Sequence, residues 1–210
     1  MRKQTSLTVL ICLFGSLLFL MGCSGEEGPA FPKVKVDPAE VAANVVAEFD
    51  KDGDGEISIS ELKKSDGLLM LTTGDSQLMQ QYRLDSDGSG NVSEEEFTKK
   101  FTECFADSRQ GYSCHVDYRG DPLEGATVTL VPEAFMGDIP EASGVTDRSG
   151  NCSVTSPDGL DGAVPGIYTL TITHPDKKIP AKYNENSKIS IALDPTNPYA
   201  TQGVPTHNIR

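Results

Sequence analysis

The sequence predicts an α+β chain in two parts, a helix-loop-helix pair followed by an antiparallel β-sandwich, and three observations carry that prediction. Two twelve-residue stretches, 50–61 and 85–96, repeat one alternation of acids and glycines thirty-five residues apart. Apolar residues flanking them recur at helical spacing, whereas from about Ser113 onward they recur at every second position. Gly, Pro, Asp and Asn then punctuate the chain at short intervals, as turns between short strands require.

The elements follow in order. Arg2 and Lys3 precede an apolar run of fourteen residues, LTVLICLFGSLLFL, which leads through Met21 and Gly22 to Cys23. A helical span needs roughly twenty such residues, so the run suits a cleaved export segment better than an anchor. It resembles a bacterial lipoprotein signal. The resemblance implies that residues 1–22 are a signal peptide cleaved after Gly22, and that Cys23 becomes the lipidated first residue of the mature chain. Membrane attachment would then run through the lipidated N-terminus, on the outer side of the cytoplasmic barrier, in the bacterial cell envelope. Residues 23–36 are polar and contain Gly and Pro, and read as a tether. Losing Arg2 and Lys3 takes the formal charge from −13 to −15, which repels nucleic acid and anionic headgroups.

Residues 37–106 form the helical module. Asp37 is placed to cap a helix, Pro38 suits its first position and Glu40 lies in its first turn. Val41, Val45, Val46 and Phe49 then form one apolar face. The segment FDKDGDGEISISEL sets Asp50, Asp52 and Asp54 on alternate positions, then Gly55 sixth, Glu56 seventh, Ile57 eighth, Ser58 ninth and Glu61 twelfth. LDSDGSGNVSEEEF repeats the register with Asp85, Asp87, Ser89, Gly90, Asn91, Val92, Ser93 and Glu96.

Chemistry explains the spacing. A Ca²⁺ ion takes about six to eight hard oxygens, and a loop wrapping one ion offers them at positions 1, 3, 5, 7, 9 and 12. Glu56 and Asn91 would give backbone carbonyls, Ser58 and Ser93 would act directly or through water, and Glu61 and Glu96 would close each site with both oxygens. Ile57 and Val92, both β-branched, suit a short strand pairing between the loops. Both segments resemble the EF-hand family, and the cofactor expected is two Ca²⁺ ions. Between them, LKKSDGLLMLTTGDSQLMQQYRL is expected to break its first helix near Gly67, and Leu78, Met79 and Tyr82 fall off the family's usual apolar positions. Phe97, Phe101, Cys104 and Phe105 mark the last helix.

Residues 111–210 alternate. Cys114, Val116 and Tyr118 share a face, as do Ala126, Val128 and Leu130, then Tyr168, Leu170 and Ile172, and Ile189, Ile191 and Leu193. Six or seven short strands of this kind predict a sandwich. The segments GDPLEGATVTLVP, SGVTDRSGNCSV, VPGIYTLTIT and IPAKY resemble the prealbumin-like, carboxypeptidase regulatory-like domain. That resemblance implies an accessory module without catalysis. The polar ending GVPTHNIR departs from it and predicts a weak final strand.

Several attractive sites have plainer readings. Arg119, Gly120 and Asp121 spell an adhesive tripeptide but fall where two strands need a turn, and DRSGN, Asp147 to Asn151, lacks the sixth Gly and twelfth Glu of a calcium loop. His115, His174 and His207 have no ligand spacing to one another, and no nucleophile and base stand together in the sequence, so no enzyme is expected. Hydroxyisourate hydrolases share the prealbumin fold, but their C-terminal Tyr-Arg-Gly-Ser signature is absent from THNIR. Cys114 and Cys152 both point inward on strands and are expected to form a disulfide, leaving Cys104 free and buried. The reading is a calcium-binding, lipid-anchored envelope protein with a binding or structural role, its partner an envelope protein or glycan. A calcium-responsive regulatory subunit of an envelope enzyme and an uncharacterised hydrolase are the alternatives.

Overall fold

The computed structural model describes residues 35–72, 84–106, 109–197 and 203–210. Helix α1, Pro38–Phe49, begins as expected: the Asp37 carboxylate accepts the Ala39 N–H at 3.0 Å, and Val41, Ala42, Val45 and Phe49 are buried. The first loop leads into strand β1, Glu56–Ser58, and helix α2, Ile59–Leu62. α2 ends five residues before Gly67, which lies instead in the first turn of α3, Asp66–Thr72. The break therefore sits in the turn at residues 63–65, and Gly67 serves packing, as shown below. Leu78, Met79 and Tyr82 lie outside the described residues, as do Cys23 and the segment read as a signal peptide.

The second loop leads into β2, Asn91–Ser93, and helix α4, Glu94–Cys104. β1 and β2 pair antiparallel with Ile57 opposite Val92, and both side chains are fully buried. α4 packs along α1. Phe97, Phe101 and Phe105 stack successively on it, with ring centroids 6.1 and 5.7 Å apart. Among the described residues no helix is long and apolar enough to cross a membrane.

The strand region forms two sheets. In one, β3 (Ser113–Tyr118) is flanked on one edge by β4 (Asp121–Pro122) and β7 (Asn151–Ser153), and on the other by β10 (Thr206–Ile209). The other has the order β6 (Ala142–Val145), β5 (Thr127–Pro132), β8 (Gly166–Thr173) and β9 (Ile189–Leu193). Val116, Val128, Leu130, Tyr168, Leu170 and Ile172 fill the space between them. Ile189 and Ile191 share that inner face, opposite Leu170 and Tyr168, but are only half-buried because β9 is an edge strand.

The final strand is better placed than its polarity suggests. β10 pairs parallel to β3, the one parallel pairing among the described strands, and Ile209 is fully buried. Backbone hydrogen bonds carry such a strand whatever its outward side chains, so one apolar anchor suffices. The tripeptide 119–121 forms the β3–β4 turn, with Arg119 at φ 58° and Gly120 at φ 98°. In the turn at Asp147, the carboxylate accepts the N–H groups of Ser149 and Asn151.

Cys114 and Cys152 stand directly opposite each other on β3 and β7, as their shared facing predicted, yet both are thiols and not a disulfide. The register gives the reason. Val116 N–H donates to Gly150 O and Val154 N–H to Tyr112 O, which makes the Cys114–Cys152 position a hydrogen-bonded pair. Cβ atoms at such positions lie near the upper end of about 4.5–5.5 Å, beyond the 3.5–4.5 Å that a disulfide favours. The bond it donates to Cys152, together with burial, pushes the Cys114 thiol far up. Cys104 is free and buried as expected.

The helical and strand regions belong to one compact unit, 33–210. The helices lie on the outer face of the sheet containing β8. A Cβ added at Gly67 would stand 2.2 Å from Ile167 Cγ2, so α3 touches β8 through a residue with no side chain. Phe49 of α1 meets Phe135 edge-on at 5.7 Å, and Asn44 Nδ2 donates to Phe135 O. From α4, Lys100 forms an ion pair of 2.7 Å with Asp194, just after β9, and both side chains are almost wholly buried.

Candidate metal centre

Each acidic loop is built around its first aspartate. Asp50 accepts the N–H of Gly53 at 2.6 Å through one oxygen and that of Gly55 at 2.9 Å through the other. Asp85 does the same with Gly88 at 2.7 Å and Gly90 at 3.0 Å. The chain closes this tightly because the sixth residues, Gly55 and Gly90, hold φ of 85° and 91°, a left-handed region costly for any residue with a Cβ. Asp54 accepts from Glu56 N–H, and Asp87 from Ser89 N–H.

The twelfth residues close the loops from the far side. Glu61 accepts Lys51 N–H at 2.7 Å on one oxygen and Ser58 N–H at 2.9 Å on the other. Glu96 accepts from Ser86 N–H and, at 3.0 Å, from Ser93 N–H. Ser58 and Ser93 are also the N-caps of α2 and α4, and each forms a capping box with the glutamate three residues on. The ninth and twelfth ligand positions and the helix start are thus one motif.

The carboxylates converge. In the first loop, oxygens of Asp50, Asp52 and Asp54 lie within 4.8 Å of one another, and in the second those of Asp85, Asp87 and Glu96 do. Glu61 stands outside the first cluster, held to Lys51 and Ser58. The side chains of Glu56 and Asn91 meet across β1 and β2, Asn91 Nδ2 donating to Glu56 Oε2 at 3.0 Å, and so link the two loops at their seventh positions. Ser89 Oγ accepts Asn91 N–H.

Titration follows this geometry. The Asp54 N–H draws the Asp52 carboxyl down, but the negative charges of Asp54, Glu61 and Asp50, with slight desolvation, outweigh it and leave Asp52 above the ordinary range. Hydrogen bonds from Lys51 N–H and from the Ser58 hydroxyl and N–H bring Glu61 down to about 2. Burial works against ionisation of Glu96, yet its donors, Ser93 and Ser86, win and hold it low. Asp87 is lowered by Ser89. An all-oxygen cluster of carboxylates, crowded close enough to repel one another, fits a hard divalent cation such as Ca²⁺.

The sequence reading missed Ser86. It lies second in its loop, where no ligand is needed, and its hydroxyl donates to Glu96 at 3.0 Å. The reading also missed Lys100 and Asp194; the signal available was a lysine one turn after Glu96 on a helical face otherwise filled by Phe97, Phe101 and Cys104. The histidines are separately engaged, His115 with Asn151 and Asp117, His174 with the Asp176 and Lys177 N–H groups, and His207 with the Tyr112 hydroxyl.

Comparison with known proteins points to the same residues. The EF hand family model matches residues 47–64 and 82–102, which contain both loops. A probable calcium-binding protein of Arabidopsis thaliana, CML29, is 39% identical over 54 residues, 26% of this chain and 65% of that relative. The chain thus matches just under two thirds of the relative's length, and the family match leaves the strand region uncovered. No solved structure matches the chain.

Proposed function

We propose that each of the two EF-hand loops holds one Ca²⁺ and that these ions are structural, fixing the helical region against the β-sandwich of a non-catalytic binding or structural protein. The observation that carries the reading is the convergence of Asp50, Asp52 and Asp54 in one loop and Asp85, Asp87 and Glu96 in the other. The name of the Arabidopsis relative and the family match support the choice of metal. In the sites, Asp50, Asp52, Asp54, Glu61 and the Glu56 carbonyl would hold the first ion, with Ser58 direct or through water. Asp85, Asp87, Ser89, the Asn91 carbonyl, Ser93 and Glu96 would hold the second.

A structural ion is favoured over a signalling one by what the helices already touch. A calcium-responsive regulator needs an apolar helical surface free to capture a target. Here Phe49 packs on Phe135, Gly67 on Ile167 and Lys100 on Asp194, so this chain's own sheet takes the place of a target. The anchoring proposal rests on residues 1–23: lipidated Cys23 would attach the protein to the membrane in the bacterial envelope, where environmental calcium keeps such loops filled. An envelope protein or glycan is the partner proposed for the sandwich, whose resemblance to carboxypeptidase regulatory-like domains suggests an accessory part.

Calorimetric calcium titration of the chain from Ser24 onward tests the metal reading, with two ions expected per chain. Glu61→Gln with Glu96→Gln should abolish tight uptake, and a wild type that takes up no calcium would sink it. For the anchor, Cys23→Ser should release the protein from membranes or leave the precursor uncleaved, and normal retention of a fully processed mutant would overturn it.

A further inference from the structure

Asp194 is distant from both loops in sequence and belongs to the strand region, yet it holds the helix that closes the second loop. It follows β9 directly and is fully buried. Its Oδ2 lies 2.7 Å from Lys100 Nζ, and its Oδ1 accepts from Thr196 N–H at 3.0 Å, Thr196 Oγ1 at 2.6 Å and Cys104 Sγ at 3.2 Å. Lys100 Nζ donates in turn to Thr196 Oγ1 at 2.7 Å.

The partners on α4 have a regular spacing. Glu96, Lys100 and Cys104 follow one another at four-residue intervals, so they lie along one stripe of the helix. Each step of four residues advances about 6 Å along the axis. Asp194 therefore grips α4 one and two turns below the glutamate that closes the calcium loop. Turning α4 about its axis, or sliding it, would move Glu96 relative to Asp85 and Asp87 and would also pull Lys100 and Cys104 away from Asp194. The buried pair cannot follow cheaply, because separation would leave a charge without solvent or partner.

We infer that Asp194, through Lys100 and Cys104, is a positioning residue for the second calcium loop, fixing the height and rotation at which Glu96 meets the ion. The inference rests on the calcium reading above. It makes that loop's affinity a property of both regions: without the anchor, binding must also supply the free energy of setting α4 in place. Linkage makes the effect reciprocal, so calcium in the loop must steady the segment around Asp194 by the same factor.

The test uses the chain from Ser24 to Arg210 and calcium itself as the probe. The pair Lys100→Met with Asp194→Asn removes both charges together and leaves no lone one buried. Calcium titrations followed at the amide resonances of Gly55 and Gly90 read the loops separately. The expected result is a dissociation constant for loop 85–96 raised about tenfold, within the usual range of coupling between sites, with loop 50–61 near its wild-type value. Thr196→Val, which keeps the ion pair but removes the shared hydroxyl, should shift the same loop in the same direction by less. In the wild type, calcium should slow amide exchange across 189–197, and Glu96→Gln should erase that protection. A folded double variant that fills loop 85–96 at wild-type calcium concentrations, or exchange across 189–197 indifferent to calcium, overturns the inference while the metal reading stands. Absence of calcium uptake by the wild type overturns both.

Discussion

The two calcium loops share a register but not a setting. At the side-chain ligand positions, loop 50–61 offers four carboxylates, Asp50, Asp52, Asp54 and Glu61, and loop 85–96 three, Asp85, Asp87 and Glu96, with Ser89 in place of the third aspartate. By charge alone the first would be the stronger site. Yet its Asp52 and Asp54 are exposed and crowd one another, its Glu61 stands apart from the aspartate cluster, and the helix it opens, α2, lasts four residues. In the second loop Asp85 and Glu96 are 3% and 7% exposed, Glu96 is already beside the aspartates, and α4 runs eleven residues to a buried anchor. The first loop has more charge at its ligand positions and the second more preorganisation. Charge strengthens attraction for any cation but must be held together against repulsion, whereas a pre-set ligand costs little to use.

At a thousandfold excess over its dissociation constant each ion should stabilise the fold by about 4 kcal/mol, so chelation should lower the thermal transition steeply. Glu96→Gln should lose more affinity than Glu61→Gln, because its carboxylate is already in the cluster. Calorimetry with and without chelator measures both, and equal losses at the two loops would break the contrast. Because the helices and the sheet share an interface, β9 and the residues after it should loosen with α4 when calcium is removed.

Next comes the anchor. Lys100→Met alone leaves Asp194 buried and unpaired, and should cost about 3–5 kcal/mol in urea unfolding. Removing both charges should cost less than this single change, and a neutral single variant would show that the pair does not hold α4.

Gly67→Ala is the third. In an exposed helix the change would gain up to about 1 kcal/mol, but here the new methyl meets Ile167 Cγ2, and overpacking of about 1–3 kcal/mol should win. Pairing it with Ile167→Ala should relieve the clash and make the two changes non-additive in unfolding experiments.

The smallest effect lies in the sandwich, away from the metal. Burial holds His207 below its ordinary 6.5. An unfolded chain therefore takes up that proton first as pH falls, so His207 lowers stability progressively below pH 6.5 and has no such effect above it. His115, raised by its bonds to Asn151 and Asp117, acts in the opposite sense: its contribution is complete below the ordinary value and is lost as pH rises through the higher folded one. His207→Gln should flatten the decline on the acid side, as followed by amide exchange at Ile209. Unchanged slopes would show that β10 does not depend on a neutral His207.

The loops, the cap at Asp37, the Ile57–Val92 pairing and the inward faces of β3, β5 and β8 were legible because each depends on residues a few positions apart. The break expected near Gly67 falls at 63–65, but the role of Gly67 itself was not legible, for the opposite reason. As a local signal glycine means a break, but here its missing Cβ makes room for Ile167, a hundred residues away in the chain. Cys114 and Cys152 were correctly set face to face, yet alternation cannot tell a hydrogen-bonded pair from a non-hydrogen-bonded one, and that parity governs how far apart their Cβ atoms lie. GVPTHNIR looked weak because side chains are what a sequence displays, whereas β10 is held by its backbone and Ile209.

The acidic register of both loops, the helices that flank them and the change from helical to strand periodicity all follow from spacing along the chain, which fixes what neighbouring side chains present. That the helices rest on the sheet, that Gly67 makes room for Ile167 and that Lys100 finds Asp194 emerges only on folding. Those contacts join residues with no local relation, and burial, which turns a lysine and an aspartate into a pair too costly to separate, exists only once the chain has folded around them.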